Sequence, residues 1–156
     1  MSKIRFGIIG AAGRGNSYIR NLQANPATVI TALCDLREEA VKANAAELDI
    51  PHAFTGAEAM LDSGQIDAVI VGTPMHFHAP QAIMALQRDI HVLSEVTAGV
   101  SVEECRDLTR AARRSKAAYM MAENFTYMKP NVLVRELVRR GFFGEIYYAE
   151  GAYIHE

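Results

Sequence analysis

Cysteine is scarce in this sequence: two residues in 156, at positions 34 and 105, far apart and matching no metal-binding or redox spacing. Two thiols cannot make the framework of a disulfide-rich secreted fold, so both are expected to be buried and reduced. Also missing is a surplus of one charge. Sixteen lysines and arginines against eighteen aspartates and glutamates leave a formal net charge of -2, which excludes the basic footprint of a nucleic-acid or anionic-membrane binder and fits a small neutral or mildly anionic ligand. Nor is there a long hydrophobic run. The N-terminal apolar stretch, residues 4–9, is interrupted by Arg5 and Gly7 and is too short for a signal-peptide core or a membrane span. A cytoplasmic protein is the expectation.

What is present is an alternation of short apolar runs with longer amphipathic stretches. The runs at residues 4–9, 29–34, 68–71, 90–93 and 118–121 read as strands. Between them, residues 15–24, 37–48, 56–62, 78–87 and 102–114 carry apolar positions mostly three and four apart, the helical period. Ser101 followed by Glu104 has capping-box spacing and sets the start of the last of these helices. Near-continuous apolar strands alternating with helices predict an α/β fold: a doubly wound parallel sheet of the Rossmann kind with helices on both faces. At 156 residues the chain has room for one ordinary core, hiding roughly 70% of its unfolded surface.

Past Met121 the rhythm changes. Residues 131–140 predict an amphipathic helix with arginines in its last turn and Gly141 behind it. Residues 144–156, GEIYYAEGAYIHE, read as a strand with nothing after it to pair with, and an unpaired edge is normally covered. The expected organisation is therefore a nucleotide-binding domain over residues 1–123, then residues 124–156 as the first helix and strand of a truncated α+β substrate domain. The substrate sheet would lie beyond the end of this chain, and a homo-oligomer formed through it is expected.

The first strand runs into Gly10-Ala11-Ala12-Gly13-Arg14-Gly15 and then a helix. Glycines there permit a tight turn and close approach of backbone to a pyrophosphate, next to a helix amino end that favours anions. Asp35 closes the second strand 20 residues after Gly15, where a carboxylate can meet the adenosine ribose. Ala12 stands where a strict G-x-G-x-x-G pattern has its second glycine, with Gly13 offering another path of approach. Strand, glycine turn, helix, strand and Asp35 together predict dinucleotide binding. Asp35 repels a 2′-phosphate by about 4 kcal/mol at about 4 Å in an effective dielectric near 20, which favours NAD. Arg14 and Arg37 could neutralise such a phosphate, or be solvated loop cations, which leaves NADP open.

Two further loops complete the pattern: GTPMHFH at residues 72–78 and SEVTAG at residues 94–99. With GIIGAAGRG and CDLR they resemble the Gfo/Idh/MocA family of nicotinamide-dependent, mainly sugar-acting oxidoreductases, over essentially the whole chain. Thr73, Pro74 and His78 match the family's T-P-x-x-x-H, and Glu95 matches the first residue of its Glu-Lys-Pro. The resemblance implies that these loops line the cofactor and that Glu95 helps seat the nicotinamide half. Val96 and Thr97 replace the lysine and proline. Valine can neither donate a proton nor stabilise an alkoxide, so proton transfer must come from elsewhere.

Glu95-Val96, Glu123-Asn124 and the Glu150–His155 segment resemble one branch in particular, the NAD-dependent glycosidases of glycoside hydrolase family 109. That resemblance implies transient oxidation of a ring hydroxyl, elimination, water addition and return of the hydride, with Glu123, Tyr153 and His155 facing the sugar. Tyr153 and His155 share one strand face and are acid and base candidates, or they merely cover the sheet. His76 and His78 form H-x-H with no third ligand evident, so no metal is expected. Thr73 and Pro74 also suit a helix start, and Met120 and Met121 read as core filler. Three functional expectations follow: a sugar- or polyol-acting oxidoreductase with NAD (NADP possible), a redox-neutral glycosidase, or a non-catalytic nucleotide-binding module.

Overall fold

The computed structural model describes residues 2–152 and residue 154. The chain divides into two units, Met1–Ala122 and Glu123–Glu156, each taken by itself below.

In the first unit, six strands lie in one sheet: β1 (Ile4–Ile9), β2 (Thr28–Cys34), β3 (His52–Phe54), β4 (Ala68–Val71), β5 (His91–Glu95) and β6 (Tyr119–Ala122). All are parallel, in the order β3-β2-β1-β4-β5-β6. The connections carry α1 (Ile19–Ala24), α2 (Glu38–Glu47), α3 (Ala57–Leu61), α4 (His78–Leu86) and α5 (Val102–Arg114). Alternate side chains of the central strands face opposite ways, so both faces need cover. Ile9, Val69, Val71 and Val92 join Met60, Leu61, Ala82, Leu86 and Leu108 of α3, α4 and α5 in one core. Ile8, Ile30, Leu33 and Ile70 join Ile19, Val41 and Ala45 of α1 and α2 in the other.

One irregularity sets the phase of β2. Phe6 pairs with Ile30 but Gly7 pairs with Ala32, so Thr31 is an extra residue in the ladder. Its hydroxyl is satisfied by the Gln65 carbonyl at 2.8 Å. The bulge lets Ile30 and Leu33, three apart, enter the same core.

Several elements differ from the sequence reading. β3 was not expected. His52-Ala53-Phe54 is too short to show a period, and pairing with Ala32, Leu33 and Cys34 creates it. The helix expected from residue 15 begins as a 3-10 turn, Arg14–Tyr18, before α1, because the N–H groups of Gly13 and Gly15 both turn back to the Gly10 carbonyl at 3.0 Å. Met120 and Met121 are exposed rather than core filler, and Cys105 is exposed while Cys34 is buried. Ser101 caps the helix, its Oγ accepting from Glu104 N at 3.1 Å, while Glu104 Oε2 reaches one residue past the cap and accepts from Val100 N at 2.8 Å.

The second unit holds a 3-10 turn, Asn124–Tyr127, and α6 (Lys129–Arg139), with Pro130 in its first turn and Arg139 in its last. Residues 145–152 form no strand, contrary to expectation. A strand exists only through its ladder, and no described segment pairs with these tyrosine-rich residues. No helix among the described residues is long and apolar enough to cross a membrane.

Candidate functional site

The sheet order reverses at β1: the chain moves outward through β2 and β3, then returns past β1 to β4. At such a switch point the loops beyond the strand carboxyl ends diverge and leave a crevice. A cavity of about 670 Å³ occupies it, lined by Gly10, Gly13 and Arg14 after β1, Asp35 to Arg37 after β2, and Thr73, Pro74 and Phe77 after β4. This volume suits a ligand of cofactor size.

The glycine turn is shaped by contacts that leave no room for side chains. Gly10 has φ +79°, and a Cβ there would collide with the Gly72 carbonyl. A Cβ on Gly72 would stand 2.7 Å from the Gly15 Cα, and one on Gly15 would stand 2.8 Å from Ile8 Cγ2. The loops after β1 and β4 therefore touch backbone to backbone. The N–H groups of Gly10 and Ala11 both donate to the Cys34 carbonyl, at 2.9 and 3.1 Å, which ties the turn to the end of β2 as well.

Asp35 is 9% exposed and fully engaged. Its Oδ2 accepts from Ala12 N at 2.9 Å, and its Oδ1 accepts from Arg37 N and Arg37 Nε, each at 3.1 Å. Burial alone would raise its pKa, but the Arg37 guanidinium and the two backbone N–H groups outweigh that and hold it below the ordinary aspartate range. Ala12, the departure from the glycine pattern, thus serves through its N–H. Arg37, with its side chain mostly exposed, pairs with Asp35. The neighbouring Cys34 thiol is pushed up to about 12 by burial and by the charge of Asp35.

Glu95, at the end of β5, is 6% exposed, and its Oε1 accepts from Arg14 Nε and from the Tyr18 hydroxyl, both at 2.6 Å. Burial first, then Glu95, push the Tyr18 hydroxyl well above the usual tyrosine range. The cation paired with Glu95 comes from the glycine turn, 81 positions earlier. His78 is buried between two loops, with Nδ1 2.8 Å from the Thr97 carbonyl oxygen and Nε2 2.7 Å from that of Thr73. It ties the loop after β4 to the loop after β5, whose Val96–Thr97 peptide is cis. Thr73 does not cap a helix; its hydroxyl donates to Gln81 Oε1 at 2.8 Å.

Of the residues read from sequence as cofactor-binding, Gly10, Gly13, Arg14, Asp35, Arg37, Thr73 and Pro74 line the cavity, while Ala12, Gly15, His78 and Glu95 are not among its lining residues. Leu36, Thr55, Ala57, Phe77 and Gln81 line it too and were not anticipated. Leu36 could have been, as the apolar residue beside Asp35 in CDLR. Glu123 lies in the second unit, where its carboxylate accepts from Phe125 N at 3.3 Å. Tyr153 and His155 lie outside the described residues. The described residues hold no cluster of three or more His, Cys, Asp or Glu side chains placed to bind a metal.

An open parallel sheet in this order, with a glycine turn after β1 and a buried aspartate closing β2 over one cavity, defines a Rossmann-type dinucleotide-binding domain. The chain belongs to the Gfo/Idh/MocA family: residues 4–123 match its model, described as an oxidoreductase family with an NAD-binding Rossmann fold. Among curated relatives, a glycosyl hydrolase family 109 protein of Shewanella woodyi is 36% identical over 166 residues, covering 100% of this chain and 35% of that protein. The alpha-N-acetylgalactosaminidase of Shewanella oneidensis is 34% identical, again over 100% of this chain and 36% of its own length. The chain thus spans about a third of the length of these relatives. Among solved structures, the myo-inositol 2-dehydrogenase of Lactobacillus plantarum matches with a TM-score of 0.86 at 22% identity, over 93% of this chain and 43% of that one. The WlbA dehydrogenase of Bordetella pertussis, solved with NADH and UDP-GlcNAcA, gives 0.83 at 28% identity, over 94% and 42%.

Proposed function

We propose that the cavity beyond β1, β2 and β4 holds NAD, and that the chain is the nucleotide-binding part of an enzyme acting on a sugar or polyol derivative by oxidation. The observation that carries this reading is the conjunction of a backbone-walled glycine turn with a buried, doubly held Asp35 on one cavity. The turn offers close approach to a pyrophosphate; Asp35 offers oxygens to a ribose. When bound, the nicotinamide would supply hydride acceptance, and the glycine turn and Asp35 would hold and orient the dinucleotide. Titration calorimetry tests the reading: the protein binds NAD, and Asp35→Ala weakens that binding by about tenfold or more, the worth of a lost charged hydrogen bond. Equal affinity in the variant removes Asp35 from the site.

A second reading, the redox-neutral glycosidase, is favoured by the two Shewanella relatives and by Val96 standing beside Glu95. In that reading Glu123, Tyr153 and His155 face the sugar and move the protons. Incubation with aryl glycosides and no added cofactor separates the two. Release of the aglycone with no change in NADH absorbance supports the glycosidase, and turnover only with added NAD and net NADH formation supports the dehydrogenase. Cofactor affinity with no activity on any sugar would leave the binding module.

A further inference from the structure

A second cavity, of about 610 Å³, lies in the first unit between the ends of α4 and α5. α4 leads into β5 and α5 into β6, so this cavity sits at the amino ends of those strands, whereas the cofactor cavity lies beyond strand carboxyl ends. Its floor is apolar: Ile83 and Leu86 of α4 and Ala111 of α5, packed in or against the core. Its rim is polar, and most of the rim is already engaged. Asp107 is paired with Arg110, Oδ1 to Nη1 at 2.6 Å. Asp89 Oδ1 accepts from the Ser115 hydroxyl at 3.1 Å and from Lys116 N at 2.8 Å. Two polar side chains of the rim, Gln87 and Arg114, have no hydrogen-bond or ion-pair partner among the described residues.

The free cationic donor of the cavity is therefore Arg114. A cation at a helix carboxyl end is favourable in itself, but that role does not require it to face the cavity. Arg113 occupies the same last turn and is not among the lining residues. A planar guanidinium matches a carboxylate with two parallel N–H bonds, and the Gln87 carboxamide adds a further donor. The apolar floor can take a hydrocarbon body out of water, and the volume falls in the range of small-molecule sites. Asp89 and Asp107 on the same rim oppose a second negative charge on the ligand. We propose that this cavity is a second ligand site, one that takes a small monocarboxylate with an apolar body: the carboxylate on Arg114 and Gln87, the body over Ile83, Leu86 and Ala111.

Nitrogen-15 NMR titration of the chain tests it, with phenylacetate as the probe and with 2-phenylethanol and phenyl phosphate as its uncharged and largely dianionic counterparts. Phenylacetate should shift the backbone amides of residues 86–90 and 110–116 saturably. Binding of 2-phenylethanol should be weaker by about tenfold or more, the effect of losing a hydrogen bond to a charged group. Phenyl phosphate should bind no more tightly than phenylacetate. Arg114→Gln should weaken phenylacetate by about tenfold and leave 2-phenylethanol unchanged, while Arg113→Gln should alter neither. Shifts that do not saturate or that fall elsewhere, or an affinity that Arg114→Gln leaves unchanged, overturn the proposal, and tighter binding of phenyl phosphate overturns the assignment to a monoanion. If Arg114→Gln fails to fold, salt decides in the wild type: rising salt should weaken phenylacetate and not 2-phenylethanol, and an equal response refutes the role of the guanidinium. The titration contains no nucleotide, so its outcome is independent of the dinucleotide reading.

Discussion

Gly72→Ala is the sharpest probe of how the cofactor turn is built. An alanine Cβ at this position would stand 2.7 Å from both the Cα and the N of Gly15. Ordinary van der Waals contact begins at 3.4 Å, so the two loops must separate by the difference, 3.4 − 2.7 = 0.7 Å. Both obstructing atoms are backbone, and neither can be relieved by a rotamer change. The φ of Gly72 lies outside the left-handed region, so alanine is conformationally allowed and the penalty is steric. Overpacking of this size costs about 1–3 kcal/mol. The displaced atoms belong to the turn proposed to meet the pyrophosphate, so NAD affinity should fall as well, by about tenfold. Urea denaturation gives the first quantity and calorimetry the second. Gly151→Ala, where a Cβ would meet nothing within 4 Å, is the control and should shift stability by less than about 0.5 kcal/mol. If Gly72→Ala matches the wild type in both midpoint and affinity, close backbone approach does not shape this site.

The cap of α5 supplies a second prediction: Ser101→Ala removes the acceptor for Glu104 N and should lower stability by about 1 kcal/mol, read as a lower urea midpoint at an unchanged slope. Thiol titration at mildly alkaline pH supplies a third. One thiol per folded chain should react quickly, the exposed Cys105, while Cys34, buried and with its acidity suppressed beside Asp35, should react only after unfolding. Two fast thiols in the folded protein would contradict the packing of β2.

The sheet and its central helices were legible because β1, β2 and β4 are short stretches dominated by apolar residues and β5 holds Val92 and Leu93, with turn signals between them. β3 was not, since three residues with a histidine at the start carry no period and become a strand only against β2. The 144–152 stretch erred the other way: tyrosine and isoleucine supply strand propensity, yet a ladder needs a second chain segment, which composition does not reveal. At the site, Gly10 and Asp35 could be read because spacing from a strand end is local information, and Thr73 through its match to the family's T-P-x-x-x-H. The pairing of Glu95 with Arg14 and Tyr18 could not, because it joins residues 77 and 81 positions apart. That Arg37 folds back on Asp35 was illegible for a related reason: charge is visible in sequence, but the direction in which a long side chain folds is not.

The brevity of the sheet's two borders bears on how copies of this unit can meet. β3 contributes three residues and β6 four, so a neighbour joining either side edge-on would gain only a few main-chain rungs before running out of extended backbone. Growth of a continuous sheet from molecule to molecule is thereby discouraged. Any lasting assembly has to draw its strength from side-chain surfaces instead.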